Sequence, residues 1–458
     1  MILECINPTT GEILERLTED DRRTIHECFQ CLRAGQQRWG GLSQVERAER
    51  LKTFGQLIDE QHKELARLLS MEVGKPLLQA REEIQRSVQF VEEYLAARSD
   101  ADAEVLPRNG SSAHIVREPL GVIAQISTWS SPWQIGLHNL VPALMAGNAV
   151  LYKPSERAAL NGQAIGRLLK EAGVPEDVLA VIIGDGYVGD FLLDERVAGV
   201  FFTGSFSTGR MISEKLATRL IPRQMELGGK DGVYICDDAD PEVAARVVTD
   251  GAFYNCGQNC FSVERVYVHE TVYQRVIEAT CERVASYKMG SPLKPDTFLG
   301  PMIGKEKLGA LEYQVADALQ KGAQVLAGGR AKGGKGYFFE PTILTEVDHR
   351  MLVMREETSG PAIALQRVGG DDEAAALLAD SQYGMTASVF TASHKRAARL
   401  LGELDVGTVY WNDCGPRDPR PCMGRRHSGF GAEETDRFTR PKAWFMKPTI
   451  GGRAGAVK

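Results

Sequence analysis

A thiol does nucleophilic chemistry only as the thiolate, and the stretch Tyr254-Asn255-Cys256-Gly257-Gln258-Asn259-Cys260 offers one in a suitable setting. A reactive cysteine needs positive partial charge or a base nearby, together with access to solvent. Residues 240–254 carry Val243, Ala244, Val247, Val248 and Phe253 at mostly helical spacing, and Asn255 and Gly257 end that pattern. Cys260 is therefore expected in or just after a loop, ahead of a strand over 265–269. Taken alone, a loop cysteine is more often a small buried hydrophobe. The stretch Gln224-Met225-Glu226-Leu227-Gly228-Gly229-Lys230 alters that weighing. Two glycines behind an apolar run permit a tight turn and leave the Glu226 carboxylate at a strand end. A carboxylate beside a thiol supplies a general base beside a nucleophile, provided the fold brings them together, which spacing alone leaves open.

The elements that must position these groups alternate. Strands are expected over 121–126, 149–152, 178–183 and 200–202, separated by a helix opened by Pro132 and another over 161–172. Such alternation implies a parallel sheet with helices on both faces and ligands at its C-terminal edge. The segment Phe202-Thr203-Gly204-Ser205-Phe206-Ser207-Thr208-Gly209 ends the last of these strands and leads to a helix beginning near Thr208. Small residues there let a phosphate approach backbone amides and the positive end of the helix dipole. A second alternating region follows Cys260, with a helix over 271–288, a glycine-rich hairpin or exposed loop over 328–336 and a segment over 337–344. Ahead of the first sheet lie a helix over 21–38 and one long amphipathic helix from Ser43 to Gly74. In the long one, Ser43 and Glu46 have capping-box spacing and Val45, Ala48, Leu51, Phe54, Ile58, Leu65 and Leu68 form the apolar face. A further helix is expected to about residue 98.

With 458 residues, 43% hydrophobic and 25% charged, the chain can build two or three domains with substantial cores. A net charge of -7 gives no basic footprint, so no nucleic-acid partner is expected. The longest apolar run, 140–151, contains Gly147 and Asn148 and falls short of a membrane span. The first residues lack the charged and apolar regions of a secretory signal. Nine cysteines, odd in number and scattered, fit reduced thiols in a cytoplasm. Cys28 and Cys31 fall within a helical pattern with no second pair nearby, so no metal is expected. Cys256 lies four residues before Cys260 and is expected to pair with it under oxidation.

The Glu-Leu-Gly-Gly-Lys stretch, the Asn-x-Gly-Gln-x-Cys stretch and their separation resemble the aldehyde dehydrogenase superfamily. Further stretches in the same order strengthen the resemblance: Ile6-Asn7-Pro8-Thr9-Thr10-Gly11, Lys153-Pro154-Ser155-Glu156, Phe202-Thr203-Gly204-Ser205, Glu340-Pro341-Thr342 and Arg425-Arg426-His427-Ser428-Gly429-Phe430-Gly431. The resemblance implies an α/β, aldehyde dehydrogenase-like fold. A Rossmann-type parallel-sheet cofactor domain (1–100 and 120–228) would join a second α/β catalytic domain (229–430) and a small β oligomerisation arm (101–119 and 431–458). It implies a homodimer or homotetramer. It also implies an NAD(P)-dependent enzyme of the hydrolytic, non-CoA-acylating type, with Cys260 as nucleophile and Glu226 as the base that activates water. The cofactor residues implied are Ser127, Thr128, Trp129, Lys153, Ser155, Glu156, Gly204, Ser205, Gly209, Leu227 and Glu357. Lys153 and Glu156 would hold the adenosine ribose. A carboxylate there repels a 2'-phosphate and favours NAD, while Lys153 and Ser155 leave NADP possible. The substrate pocket implied for an aldehyde comprises Ser131, Ile135, Phe261, Asn412 and Cys422.

Three departures from the family pattern bear on activity. Ser130, in Thr128-Trp129-Ser130-Ser131-Pro132, stands where the family has the asparagine that helps the Cys260 backbone N–H hold the oxyanion. Loss of one such donor costs on the order of 100- to 1,000-fold in turnover unless it is replaced. Ser359 replaces a phenylalanine beside the nicotinamide ribose. Ser131 and Cys422 replace tunnel aromatics, while Arg417 and Arg420, on the loop before Cys422, could bind a carboxylate or phosphate on the substrate. The alternative is a dinucleotide-binding homologue with weak or lost dehydrogenase activity. A simple esterase would use the same thiol and base, but leaves the cofactor motifs unexplained.

Overall fold

The computed structural model describes residues 1–97, 103–108, 111–415, 424–431 and 435–446. Two parallel sheets dominate it. The first has the order Gly429–Phe430, Arg223–Glu226, Val200–Thr203, Val122–Ile126, Ala149–Lys153, Leu179–Val181. Its strands run parallel, apart from Gly429–Phe430, which joins Arg223–Glu226 antiparallel. Chain order reverses between Val122–Ile126 and Val200–Thr203, which opens a ligand crevice beyond their C-terminal ends. Both faces are covered, so these strands read as continuous apolar runs instead of alternating.

The second sheet has the order Gln324–Ala327, Thr342–Thr345, Ala362–Val368, Val263–His269, Asp231–Ile235, Thr386–Phe390, Thr408–Trp411, antiparallel only at Gln324–Ala327. It too is buried between two apolar layers. A three-stranded antiparallel sheet joins Thr439–Met446, Ser111–Pro119 and Ala103–Arg108.

Several expected boundaries shift. The long helix from Ser43 is two, Gln44–Glu60 and His62–Val73, broken at Gln61 (φ -100°, ψ 9°). No glycine or proline marks the break; Val45, assigned to the apolar face, is exposed. The capping box is present, with Ser43 Oγ accepting from Glu46 N and the Glu46 carboxylate accepting from Ser43 N. The helix expected near Thr208 begins at Phe206, because Ser205 caps it by accepting from Thr208 N at 3.3 Å. In the segment expected over 337–344, the strand is confined to Thr342–Thr345.

Candidate active site

The helix Pro241–Phe253 is capped by Asp240 and delivers the chain to a sharp reversal in which Asn255, Cys256 and Gly257 have φ of 52°, 58° and 67°. Left-handed backbone is ordinary for glycine, tolerated by asparagine and strained for Cys256. Gly257 is also required sterically, since a Cβ there would lie 2.1 Å from the Gly360 carbonyl oxygen. Gln258, buried, fastens the turn: its Nε2 donates to the carbonyls of Asn255 (3.3 Å) and Pro301 (3.4 Å), and its Oε1 accepts from Ile303 N (2.8 Å). Cys260 emerges from this braced turn half-exposed, with solvent access. Cys256 does not share that setting. It is buried, its thiol donates to the Gly300 carbonyl at 3.4 Å, and burial pushes that thiol up to about 12.

Glu226 ends the strand Arg223–Glu226, where its Oε1 accepts from Gln224 Nε2 at 2.9 Å and its Oε2 from Gly424 N at 3.4 Å. The glycines after it explain how the two reacting stretches meet. A Cβ on Gly229 would stand 2.1 Å from the Cys260 carbonyl oxygen, and one on Gly228 would stand 2.2 Å from the Glu357 carboxylate. Each glycine is thus the footprint of a different partner. Gly229→Ala is expected to force the Cys260 turn away, because the clash is with backbone; we expect a fall in turnover of about 100-fold with destabilisation of about 1–3 kcal/mol. Initial rates and a melting curve measure the two effects.

Cys260 faces a cleft of about 900 Å3. At the switch point of the first sheet, Ser127, Thr128, Trp129, Ser130 and Ile135 line it, with Gly204 and Ser205 from the neighbouring strand end. Lys153, Ser155 and Glu156 line it beyond the strand Ala149–Lys153, and Leu227 and Glu357 complete the wall toward Cys260. Lys153 is buried, and its Nζ donates to the Pro154 carbonyl at 3.2 Å. Burial holds this ammonium below its ordinary value, while Glu156 and Asp185 pull it back up. The amino end of the helix Phe206–Lys215 also opens here.

Glu357 is set by a buried network. Lys230 Nζ pairs with Glu264 at 2.6 Å and donates to Thr358 Oγ1 at 2.8 Å. Glu264 accepts from the backbone N–H groups of Thr358 (3.0 Å) and Ser359 (3.2 Å). This holds Ser359 at φ 47° beside the cleft. Desolvation and the Glu264 charge raise the Glu357 carboxyl above its ordinary value, opposed by Lys307, Ser359 and Lys230.

The model of the aldehyde dehydrogenase family matches residues 1–443. The chain belongs to that family. A probable succinate-semialdehyde dehydrogenase [NADP(+)] of Sinorhizobium fredii is 33% identical, over 93% of this chain and 88% of that protein. A betaine aldehyde dehydrogenase of Brucella anthropi is 34% identical over 93% and 89%. The solved structure of a 3,6-anhydro-L-galactose dehydrogenase in complex with NAP superposes with a TM-score of 0.94 at 31% identity, covering 98% of this chain and 96% of that one. The aldehyde dehydrogenase fold expected from the motifs is the fold observed.

Other residues expected at the site of this aldehyde dehydrogenase family member stand outside the described cleft lining. Asn412 is exposed at the end of Thr408–Trp411, and its amide bonds the Thr391 backbone, donating to the carbonyl at 3.0 Å and accepting from the N–H at 2.9 Å. Ser131 is buried and turned away, its Oγ accepting from Lys75 Nζ at 3.1 Å. Phe261 is half-buried and likewise outside the cleft wall. A Cβ on Gly209 would lie 2.5 Å from a Leu227 methyl. Arg417, Arg420 and Cys422 lie outside the described residues. Sequence reasoning missed Arg157, Asp185, Lys215 and Lys307, all in the cleft wall. The run Gly184-Asp185-Gly186 was the available signal for Asp185, which caps the helix Gly186–Asp194 by accepting from Tyr187 N at 2.8 Å.

Proposed function

We propose that this chain oxidises an aldehyde to a carboxylic acid with NAD or NADP. The observation that carries the reading is that one cleft joins Cys260 to Lys153, Glu156 and the amino end of Phe206–Lys215, while Gly229 packs the Glu226 stretch onto the Cys260 turn. The residues present fit a dinucleotide: a lysine and a carboxylate for ribose hydroxyls, a helix start for the pyrophosphate, and Glu357 toward the nicotinamide ribose. When bound, that cofactor supplies the hydride acceptor. Glu156 favours NAD, because a carboxylate repels a 2'-phosphate.

The chain's own groups do the rest. The Cys260 thiolate adds to the aldehyde carbonyl to give a thiohemiacetal, whose oxyanion is held by the Cys260 backbone N–H and the Ser130 side. Loss of hydride leaves a thioester on Cys260. Glu226, released from Gln224, takes a proton from water, which attacks the thioester and frees the acid and the thiolate. Nine cysteines, odd in number and scattered along the chain, support a cytoplasmic setting. Trp444 and Phe445, 51% and 69% exposed on the edge strand Thr439–Met446, support a homodimer or homotetramer, which light scattering reads directly.

The competing reading of weak or lost activity rests on Ser130, whose Oγ lies 3.4 Å from Thr128 Oγ1. Ser130→Asn is expected to raise turnover on a simple aldehyde by about tenfold or more by restoring an amide donor; unchanged or lower steady-state turnover would mean that the site is built around serine. The function itself is tested by reduced-nicotinamide formation with NAD and with NADP over short, long, aromatic and acid-bearing aldehydes. Cofactor binding without turnover on any of them would favour the competing reading.

A further inference from the structure

The helix Leu77–Ala96 belongs to neither the Cys260 turn nor the Ser130 turn, yet side chains on and just before it touch both. Gln79 Oε1 accepts from the backbone N–H of Asn255 at 2.8 Å, while its Nε2 donates to the Phe298 carbonyl at 3.0 Å. Glu82 accepts from the Tyr254 hydroxyl at 3.0 Å. On the other side, Glu83 Oε1 accepts from Trp133 N at 3.0 Å and Gln134 N at 3.4 Å, and its Oε2 pairs with Lys75 Nζ, which reaches Ser131 Oγ. The circuit closes between the two stretches, where Asn255 Nδ2 donates to the Ser130 carbonyl at 3.1 Å.

Each contact has a physical reason. Ser131 stands at the cap position of the helix Pro132–Met145 but makes no capping hydrogen bond with its side chain. Glu83 supplies the missing acceptor and places negative charge at the helix's positive end. Lys75, with its side chain 1% exposed, neutralises a carboxylate whose side chain is 2% exposed, which an unpaired buried charge would require. Asn255 begins the left-handed reversal leading to Cys260 and is 1% exposed, so its N–H has Gln79 as its acceptor in place of water.

We propose that Gln79 is a positioning residue, and that with Glu82, Glu83 and Lys75 it sets the separation between the Cys260 turn and the Ser130 turn. The proposal rests on the aldehyde-oxidation reading, because that separation matters only if a reacting carbonyl lies between the two turns. None of these four side chains lines the cleft, so they act through Asn255, Tyr254 and Ser131 and not on substrate.

The test compares wild type, Gln79→Ala, Gln79→Glu and Tyr254→Phe by steady-state kinetics and by amide hydrogen exchange of peptides spanning 129–135 and 254–262. Gln79→Ala is expected to lower kcat by about 10- to 100-fold, the cost of misplacing reacting groups by about an ångström, with the cofactor KM within about twofold. Exchange should rise in those two peptides. Gln79→Glu keeps an acceptor for Asn255 N–H but, when ionised, sets a buried oxygen against the Phe298 carbonyl, so its kcat relative to wild type should rise as pH falls and the carboxyl takes up a proton that it can donate there. Tyr254→Phe, which removes only the Glu82 contact, should give a smaller loss of the same kind and keeps the test open should Gln79→Ala not fold. A lowered melting temperature with kcat unchanged in Gln79→Ala and Tyr254→Phe, or no local rise in exchange, overturns the proposal. Wild type without turnover would instead sink the dehydrogenase reading, and the exchange data would still decide whether the helix holds the two turns.

Discussion

Replacing Cys260 with alanine is expected to reduce aldehyde-dependent nicotinamide reduction by more than about 10,000-fold, because the covalent step then has no nucleophile. Among the described cysteines, Cys256 is the nearest in sequence to Cys260, and it is no substitute. Burial and a bond to the Gly300 carbonyl keep it protonated, with its thiol pushed up to about 12. Cofactor affinity should be nearly unchanged in Cys260→Ala, since Lys153 and Glu156 lie elsewhere along the cleft and Glu357 is braced by Glu264 and Lys230 through its own turn. Initial-rate assays with a cofactor titration separate the two effects. Residual turnover within about tenfold of wild type would place the nucleophile elsewhere.

Glu226→Gln should have the second-largest effect, and a different shape. Addition, hydride departure and thioester formation do not need this carboxylate, so a burst of about one reduced nicotinamide per site should survive. Steady-state turnover should then fall by about 100- to 10,000-fold, the range associated with loss of a general base. Rapid mixing resolves the burst. The substitution keeps the size of the side chain, and its one remaining carbonyl oxygen can accept from Gln224 or from Gly424 N, though not in the places of both carboxylate oxygens. A proportionate loss of burst and steady state would instead assign Glu226 to an earlier step.

How much of this was legible beforehand depended on the range of the interactions. The parallel sheet could be read because continuous apolar runs such as Val122–Ile126 and Val200–Thr203 alternate with helical periods and end in glycine and small polar residues. Gly228 and Gly229 could be read as a tight turn, but not as the seats of Glu357 and the Cys260 carbonyl, which are contacts from later in the chain. The Gln79–Asn255 bond spans 176 positions and leaves no periodic trace in either segment. Asn255 was read as a helix stop, which it is; its left-handed backbone and its bond to the Ser130 carbonyl depend on the packed fold. The partners of Asn412 were hidden for a related reason. Motif position put it near the site but could not show that the Thr391 backbone bonds both ends of its amide. The break at Gln61 was invisible because neither glycine nor proline forms it.

The central claim, covalent catalysis through Cys260, is tested most directly by peptide mass spectrometry of Glu226→Gln quenched after mixing with an aldehyde and NAD. The peptide carrying Cys260 should gain the mass of the acyl group, and the gain should vanish with hydroxylamine treatment, as a thioester requires. An unmodified Cys260 peptide during measurable turnover, or the acyl group on another residue, would contradict the account.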